Sequence, residues 1–389
     1  LFPAQALPRV LAWNPQPAGN PARGRGSRPE IPVLKEGEMK NVLSVLTCLL
    51  ASSFAAFGVD DRGNTATQGA ETWSRAAQYM LPKPKLVNGH ITLVLPLKIE
   101  VSQVMDPAAP QSPFAQPWSL TPNPTVFFGP NGVTTDSSQA IFGHAGNGEA
   151  ICGDIGGQGT QMDALGHFGL IKKAGDTPAY FGGLTQSEVV GPAGLKRLGI
   201  ERAEPIITSV VMLDAARHLN NGKALAPGYA ITKQDIEDIV AAQGLAGRGI
   251  KSGDAVFIHT GYGAAWASSP STYYTQGPGL SHEAAVFLAS RKIALVGLDN
   301  PFTDAAVNQP GAGPFPPMAS WENGSNPWLP FGAHHHNLTQ AGVHQIQNLN
   351  LTEMAQKKVY LGAVFILPIR FKGAAGSPVR PVVIGHPND

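Results

Sequence analysis

Three apolar runs rich in β-branched residues, each closing on a polar residue, do most to limit what this chain can fold into. Ile206 to Leu213 ends at Asp214, the run inside Gly253–Gly261 reaches His259, and Ile293 to Leu298 ends at Asp299. Runs of this length and composition read as buried strands. A later strand is expected over Val359 to Ile369, and a short one over Ile91 to Leu97, broken by Pro96. Helix signals lie between the runs. Thr232 and Asp235 form a capping box, followed by an apolar stripe of Ile236, Ile239 and Val240 that stops near Gly244. Ser281 caps a second helix carrying Ala285, Val286, Leu288 and Ala289. Strands alternating with helices give an α/β or mixed α+β class. In such folds chemistry gathers at strand ends, but Asp214, His259 and Asp299 each read first as capping or loop-anchoring groups.

With 389 residues, 43% of them hydrophobic, the chain has ample material for a core. A formal net charge of +1 with only 14% charged residues argues against a nucleic-acid partner, which would call for a basic surplus. The 45 glycines and 34 prolines make it loop-rich, with long loops expected over 106–135 and 305–333. Cys48 and Cys152 imply no disulfide framework.

Residues 1–38 are rich in proline and arginine and read as lying outside the mature protein, with Met39 as the start. Met39-Lys40-Asn41, the apolar Val42–Leu50 and the small residues Ser53 and Ala55 form a secretory signal pattern over 39–58. That pattern implies a periplasmic or secreted protein. Residues 59–90 read as an N-terminal linker or extension, and 91–389 as a single domain. No other stretch is apolar over the ~18 residues a membrane helix needs, so no membrane partner is expected.

Two stretches carry potential chemistry. In Gly156–Phe168, Asp163 and His167 have the spacing that shares one face of a helical turn, and Gln161 and Asp163 share one face of a strand. A strand turning helical at Asp163 brings all three together as potential metal ligands. The other reading is a Gly-rich turn with a buried, hydrogen-bonded Asp and His, and spacing alone leaves both open. The second stretch is Ala333–Asn337, with His334, His335 and His336 in a row, followed by Gln347. It reads either as a solvated loop or as a metal or general-base element. Trp118, Phe168 and Trp321 are candidates for walling an aryl substrate pocket.

These residues resemble the metal-dependent cyclase-like hydrolases, a family that includes bacterial kynurenine formamidases and isatin hydrolases. The family motif H-x-G-T-H-x-D-x-x-x-H-F here reads Gly157-Gln-Gly159-Thr160-Gln161-Met-Asp163-Ala-Leu-Gly-His167-Phe168. Val211–Asp214, Gly253-Asp254, His259–Gly261, Gly297–Asp299, Asn348–Leu351 and Gly373–Arg380 follow as further landmarks, in order. The chain departs from the motif at both early histidines, which are Gly157 and Gln161; longer members of the family often carry Thr-Gln at this point. The resemblance implies a swivelling β/β/α-type fold and a homo-oligomer. It also implies a hydrolase acting through metal-activated water on an aryl-formamide, as in tryptophan catabolism, or on a cyclic amide. Gln161, Asp163, Gln347 and His167 would hold one divalent ion, manganese or zinc. His167, His334 and His335 are the catalytic candidates. A lactone or other ring hydrolase of the same fold, and a metal-free binding relative, are the alternatives.

Overall fold

The structure is a computed structural model and describes residues 58–171, 175–269, 273–305 and 331–388. The signal pattern up to Phe57 and the segment holding Trp321 lie outside the described residues. A curled sheet of nine strands forms the centre. Its order is Gly376–Pro378, Gln161–Asp163, His344–Gln347, Leu295–Leu298, Ala255–His259, Ile206–Asp214, Leu361–Ile366, Val382–Gly385 and Leu97–Glu100. The four strands from His344–Gln347 to Ile206–Asp214 are mutually parallel. The remaining pairings are antiparallel.

Three of the four parallel strands, Ile206–Asp214, Ala255–His259 and Leu295–Leu298, are buried on both faces, which is why their sequences are largely apolar rather than alternating; His344–Gln347 is equally buried but polar. Lys233–Ala242 and His282–Ser290 form where their caps predict. Thr232 Oγ1 accepts the Asp235 amide at 3.1 Å, and the Asp235 carboxylate accepts the Thr232 amide at 2.8 Å. Ile236 and Ile239 of the first helix are fully buried in the main core. Each such side chain contributes roughly 1.5–3 kcal/mol.

The sequence reading differs from the structure in three places. Residues 59–90 carry a helix, Ala70–Gln78, whose Arg75 donates to Ser209 Oγ in the sheet at 2.8 Å. Pro96 divides the 91–97 run. His90–Val94 pairs with Lys83–Val87 as a hairpin outside the main sheet, while Leu97–Glu100 becomes the sheet's edge. The expected loop at 106–135 contributes ribbons instead: Ser119–Pro122 pairs with Glu149–Cys152, and Val126–Gly129 with Gly132–Thr134 and Ala145–Gly146.

Candidate active site

The three-residue strand Gln161–Asp163 runs antiparallel to His344–Gln347, with Gln345 opposite Asp163 and Gln347 opposite Gln161. Strand alternation therefore puts Gln161, Asp163, Gln345 and Gln347 on one face. Gly376–Pro378 pairs along the other edge. The chain reaches this strand through a backbone contact that only glycine allows. A Cβ at Gly156 would lie 2.8 Å from the Gly376 carbonyl oxygen, and one at Gly376 would lie 2.6 Å from that of Gly156. These two glycines thus let the two backbone segments pack directly against each other. After Asp163 the chain tightens into a 3₁₀ turn, Leu165–His167, which returns His167 towards Asp163.

Asp163 is buried, and its Oδ2 accepts Gln347 Nε2 at 2.6 Å and Gln345 Nε2 at 3.4 Å. His334 Nε2 lies 3.5 Å from the same oxygen. On its far side His334 Nδ1 donates to Asp304, whose other oxygen accepts the Ala333 amide. His334 ends a short helix, Gly332–His334, that continues as π-helical turns over His335–Ala341. Phe168 packs against three imidazoles, with ring centroids 5.0 Å from His167, 4.9 Å from His334 and 5.5 Å from His335. His336 leaves the cluster, meeting His282 edge-on at 5.6 Å.

Burial and charge set distinct protonation states here. Burial works against the charged form of His334, but Asp304 and Asp163 outweigh it and hold its pKa up at about 9. Burial pushes His335 down to about 4. Crowding by its neighbours also pushes His167 down, with Asp163 opposing, while the residue itself stays exposed. For Asp163 burial favours the neutral acid, yet His167, His334 and the Gln347 bond overcome it and hold the carboxyl below its usual range. Two carboxylates, Asp163 and Asp304, thus bracket His334 and favour its charged form, while burial of His335 and crowding of His167 favour their neutral forms.

A recess of about 390 Å³ opens beside His167, lined among others by Asp154, Ile155, Gly157, Phe371 and Gly376. Trp118 is not among the described residues that line it. That indole is buried in the loop layer, and its backbone is bonded at both ends to the Gln111 amide. Trp321 falls outside the described residues.

Among the described residues no three His, Cys, Asp or Glu side chains gather as a metal set. Two amide oxygens lie beside the carboxylate as well. Gln161 Oε1 and Gln347 Oε1 are both buried with no hydrogen-bond partner, on the same face as Asp163. Buried acceptors left without donors are costly, and a hard cation satisfies them. This donor set fits one oxygen-preferring divalent ion, held by Asp163, Gln161 and Gln347 with His167 adjacent.

The strand-end polar residues form a separate cluster. His259 Nδ1 donates to Asp214 Oδ1 at 2.8 Å, and its Nε2 lies 3.8 Å from Asp299 Oδ2. Asp214 caps the Ala215–Leu219 helix, and Asp299 accepts from Thr260 and Gly261, so both anchor loops as their positions imply. Sequence reading missed Asp304 and Gln345. Alternation through His344–Gln347 could have found Gln345, since it shares Gln347's face. Asp304 carries no periodic signal.

The fold is a curled mixed sheet whose second and third strands, Gln161–Asp163 and His344–Gln347, carry a His-flanked carboxylate site, a cyclase-type α/β arrangement. Residues 99–305 match the model of the Cyclase family, and the chain belongs to that family. Among solved structures, one described as a novel cyclase superposes with a TM-score of 0.64 at 20% identity, covering 83% of this chain and 94% of that one. Isatin hydrolase A from Labrenzia aggregata, bound to benzyl benzoate, is similar at 16% identity and a TM-score of 0.49, covering 75% and 94%. Isatin hydrolase A from Ralstonia solanacearum is similar at 17% identity and 0.46, covering 74% and 92%. No curated protein matches the sequence.

Proposed function

We propose that the chain is a metal-dependent hydrolase that opens an amide, in an aryl-formamide or a cyclic amide. The observation that carries this reading is the pair of partnerless buried amide oxygens, Gln161 Oε1 and Gln347 Oε1, beside the ionised Asp163. A divalent ion bound there lowers the pKa of water towards ~7 and polarises a carbonyl. His167, neutral and open to the recess, takes the proton of the attacking water and returns it to the departing nitrogen. His334, fixed by its bond to Asp304, stands 3.5 Å from Asp163 Oδ2 and helps to position that carboxylate. Phe371 lines the recess and offers apolar surface to an aryl group, while Phe168 packs against the imidazoles.

The test is manganese binding by equilibrium dialysis together with hydrolysis of a panel of formyl-arylamines, isatin and aryl lactones. The wild type is expected to bind one ion per chain and to cleave an amide substrate. Asp163→Asn is expected to lose both, with activity down at least ~10³-fold. Full activity after chelation, or in Asp163→Asn, overturns the reading. Cleavage confined to lactones moves the substrate class to esters while keeping the site.

A further inference from the structure

Residues 59–64, read from the sequence as part of a linker, form a strap against the two strands that carry the site. Arg197 Nη2 donates to the Val59 carbonyl at 2.8 Å, and the same guanidinium and the Leu198 amide bind the Asp61 carboxylate. The Asn64 amide donates to the Gly342 carbonyl at 2.7 Å, just before the His344–Gln347 strand. Between these bonds sits Gly63, at a φ of +55°. A Cβ there would lie 2.5 Å from the Gly342 carbonyl oxygen and 2.7 Å from Leu165 Cδ1. Gly342 stands two residues before His344, and Leu165 two residues after Asp163. The strap therefore touches both halves of the site at once, through a position that only glycine fits.

His344 completes the contact. It is buried, and strand alternation sets it on the face opposite Gln345 and Gln347. Its Nδ1 donates to the backbone carbonyl of Asp163 at 2.8 Å. Its Nε2 lies 3.3 Å from the Arg62 carbonyl oxygen, so the strap closes over the far edge of the ring. Gln345 opposite Asp163 is the end pair of the two strands. The imidazole thus takes hold of the Asp163 carbonyl where the ladder on that side stops. Asp163 cannot turn without moving a ring that the strap encloses. Neither residues 59–64 nor His344 falls within residues 99–305, which match the family model. We propose that His344 and the 59–64 strap are positioning elements for Asp163, fixing its backbone so that its carboxylate meets Gln161 and Gln347. This rests on the reading of Asp163 as an ion ligand.

Manganese binding by equilibrium dialysis and amide hydrogen exchange, both on the full chain, test this. His344→Leu keeps the bulk and removes the donor, and is expected to weaken the ion about 10-fold. His344→Asn places an amide donor where Nδ1 stood and is expected to recover most of that loss. Gly63→Ala drives the strap off Gly342 and Leu165 and is expected to weaken the ion in the same sense. Thr232→Ala, whose lost cap bonds lie within the first turn of the Lys233–Ala242 helix, controls for a general loss of stability and is expected to bind as wild type. Wild-type affinity in His344→Leu or in Gly63→Ala overturns the proposal. So does a His344→Asn protein as weak as His344→Leu, or a Thr232→Ala protein that weakens equally. A wild type that binds no manganese overturns the ion reading instead, and exchange of the metal-free protein then decides the positioning role alone. Residues 161–165 should exchange faster in His344→Leu than in wild type or His344→Asn, and equal exchange in all three overturns the proposal. Gly63→Ala carries both measurements if His344→Leu does not fold.

Discussion

At the scale of single residues, the protein uses burial to sort identical side chains into different charge states. His334 and His335 are adjacent, yet one is held up at about 9 and the other pushed down to about 4. The difference lies in Asp304 and Asp163, which bracket His334 directly. His259 repeats the device away from the site. Burial opposes its charge, but the Asp214 bond and the Asp299 field raise its pKa. A raised histidine contributes stability fully below its unfolded value near ~6.5 and loses that contribution as pH climbs through the folded value. His259→Gln is therefore expected to lower the melting temperature most at pH 5–6, with the gap to wild type narrowing towards pH 9. Thermal denaturation across that range checks it, and a gap that widens with pH contradicts it. The shared face of Gln161 and Asp163 was legible in advance from strand alternation, and the spacing of His167 from Asp163 kept the two close, whereas the place of Gln347 beside them comes from the pairing of the two strands. Asp304 was not legible, since its role depends on a fold-made contact with a residue thirty positions away.

At the scale of elements, local chemistry and tertiary context divide the work. The Lys233–Ala242 helix begins where Thr232 and Asp235 satisfy each other's amides, a signal complete within four residues. Thr232→Ala removes the cap and is expected to cost about 1 kcal/mol, read as a lower urea midpoint with an unchanged slope. The buried strands were legible because both of their faces demand apolar residues. The hairpin and the ribbons between 119 and 152 were harder to read. Their prolines and glycines signal turns, while their pairing partners lie as far apart as Ser119 and Cys152. The His334–Ala341 turns carry no cap that announces a helix, so the run read equally as loop.

At the scale of the whole molecule, the N-terminal helix is locked to the sheet through one buried acid. Asp254 accepts Ser209 Oγ at 2.5 Å and Arg248 Nη2 at 2.9 Å, with Arg75 Nη2 of the Ala70–Gln78 helix 3.3 Å away. Asp254→Ala leaves two arginines in low-dielectric surroundings without their counter-charge. The expected loss is about 3–5 kcal/mol, measured by denaturant unfolding. An Asp254→Ala protein within 1 kcal/mol of wild type, on the order of an exposed pair, would contradict that burial. The strand carrying Asp163 has a consequence for how the protein is made. It is three residues long and lies between two strands, His344–Gln347 and Gly376–Pro378, that leave the ribosome some two hundred residues later. At about 5–20 residues per second, the nascent chain waits ten seconds or more between exposing its key carboxylate and receiving the segments that enclose it. Chemistry in this protein is therefore the last thing synthesis supplies, and a chain released early would keep the motif but none of the walls that give it meaning.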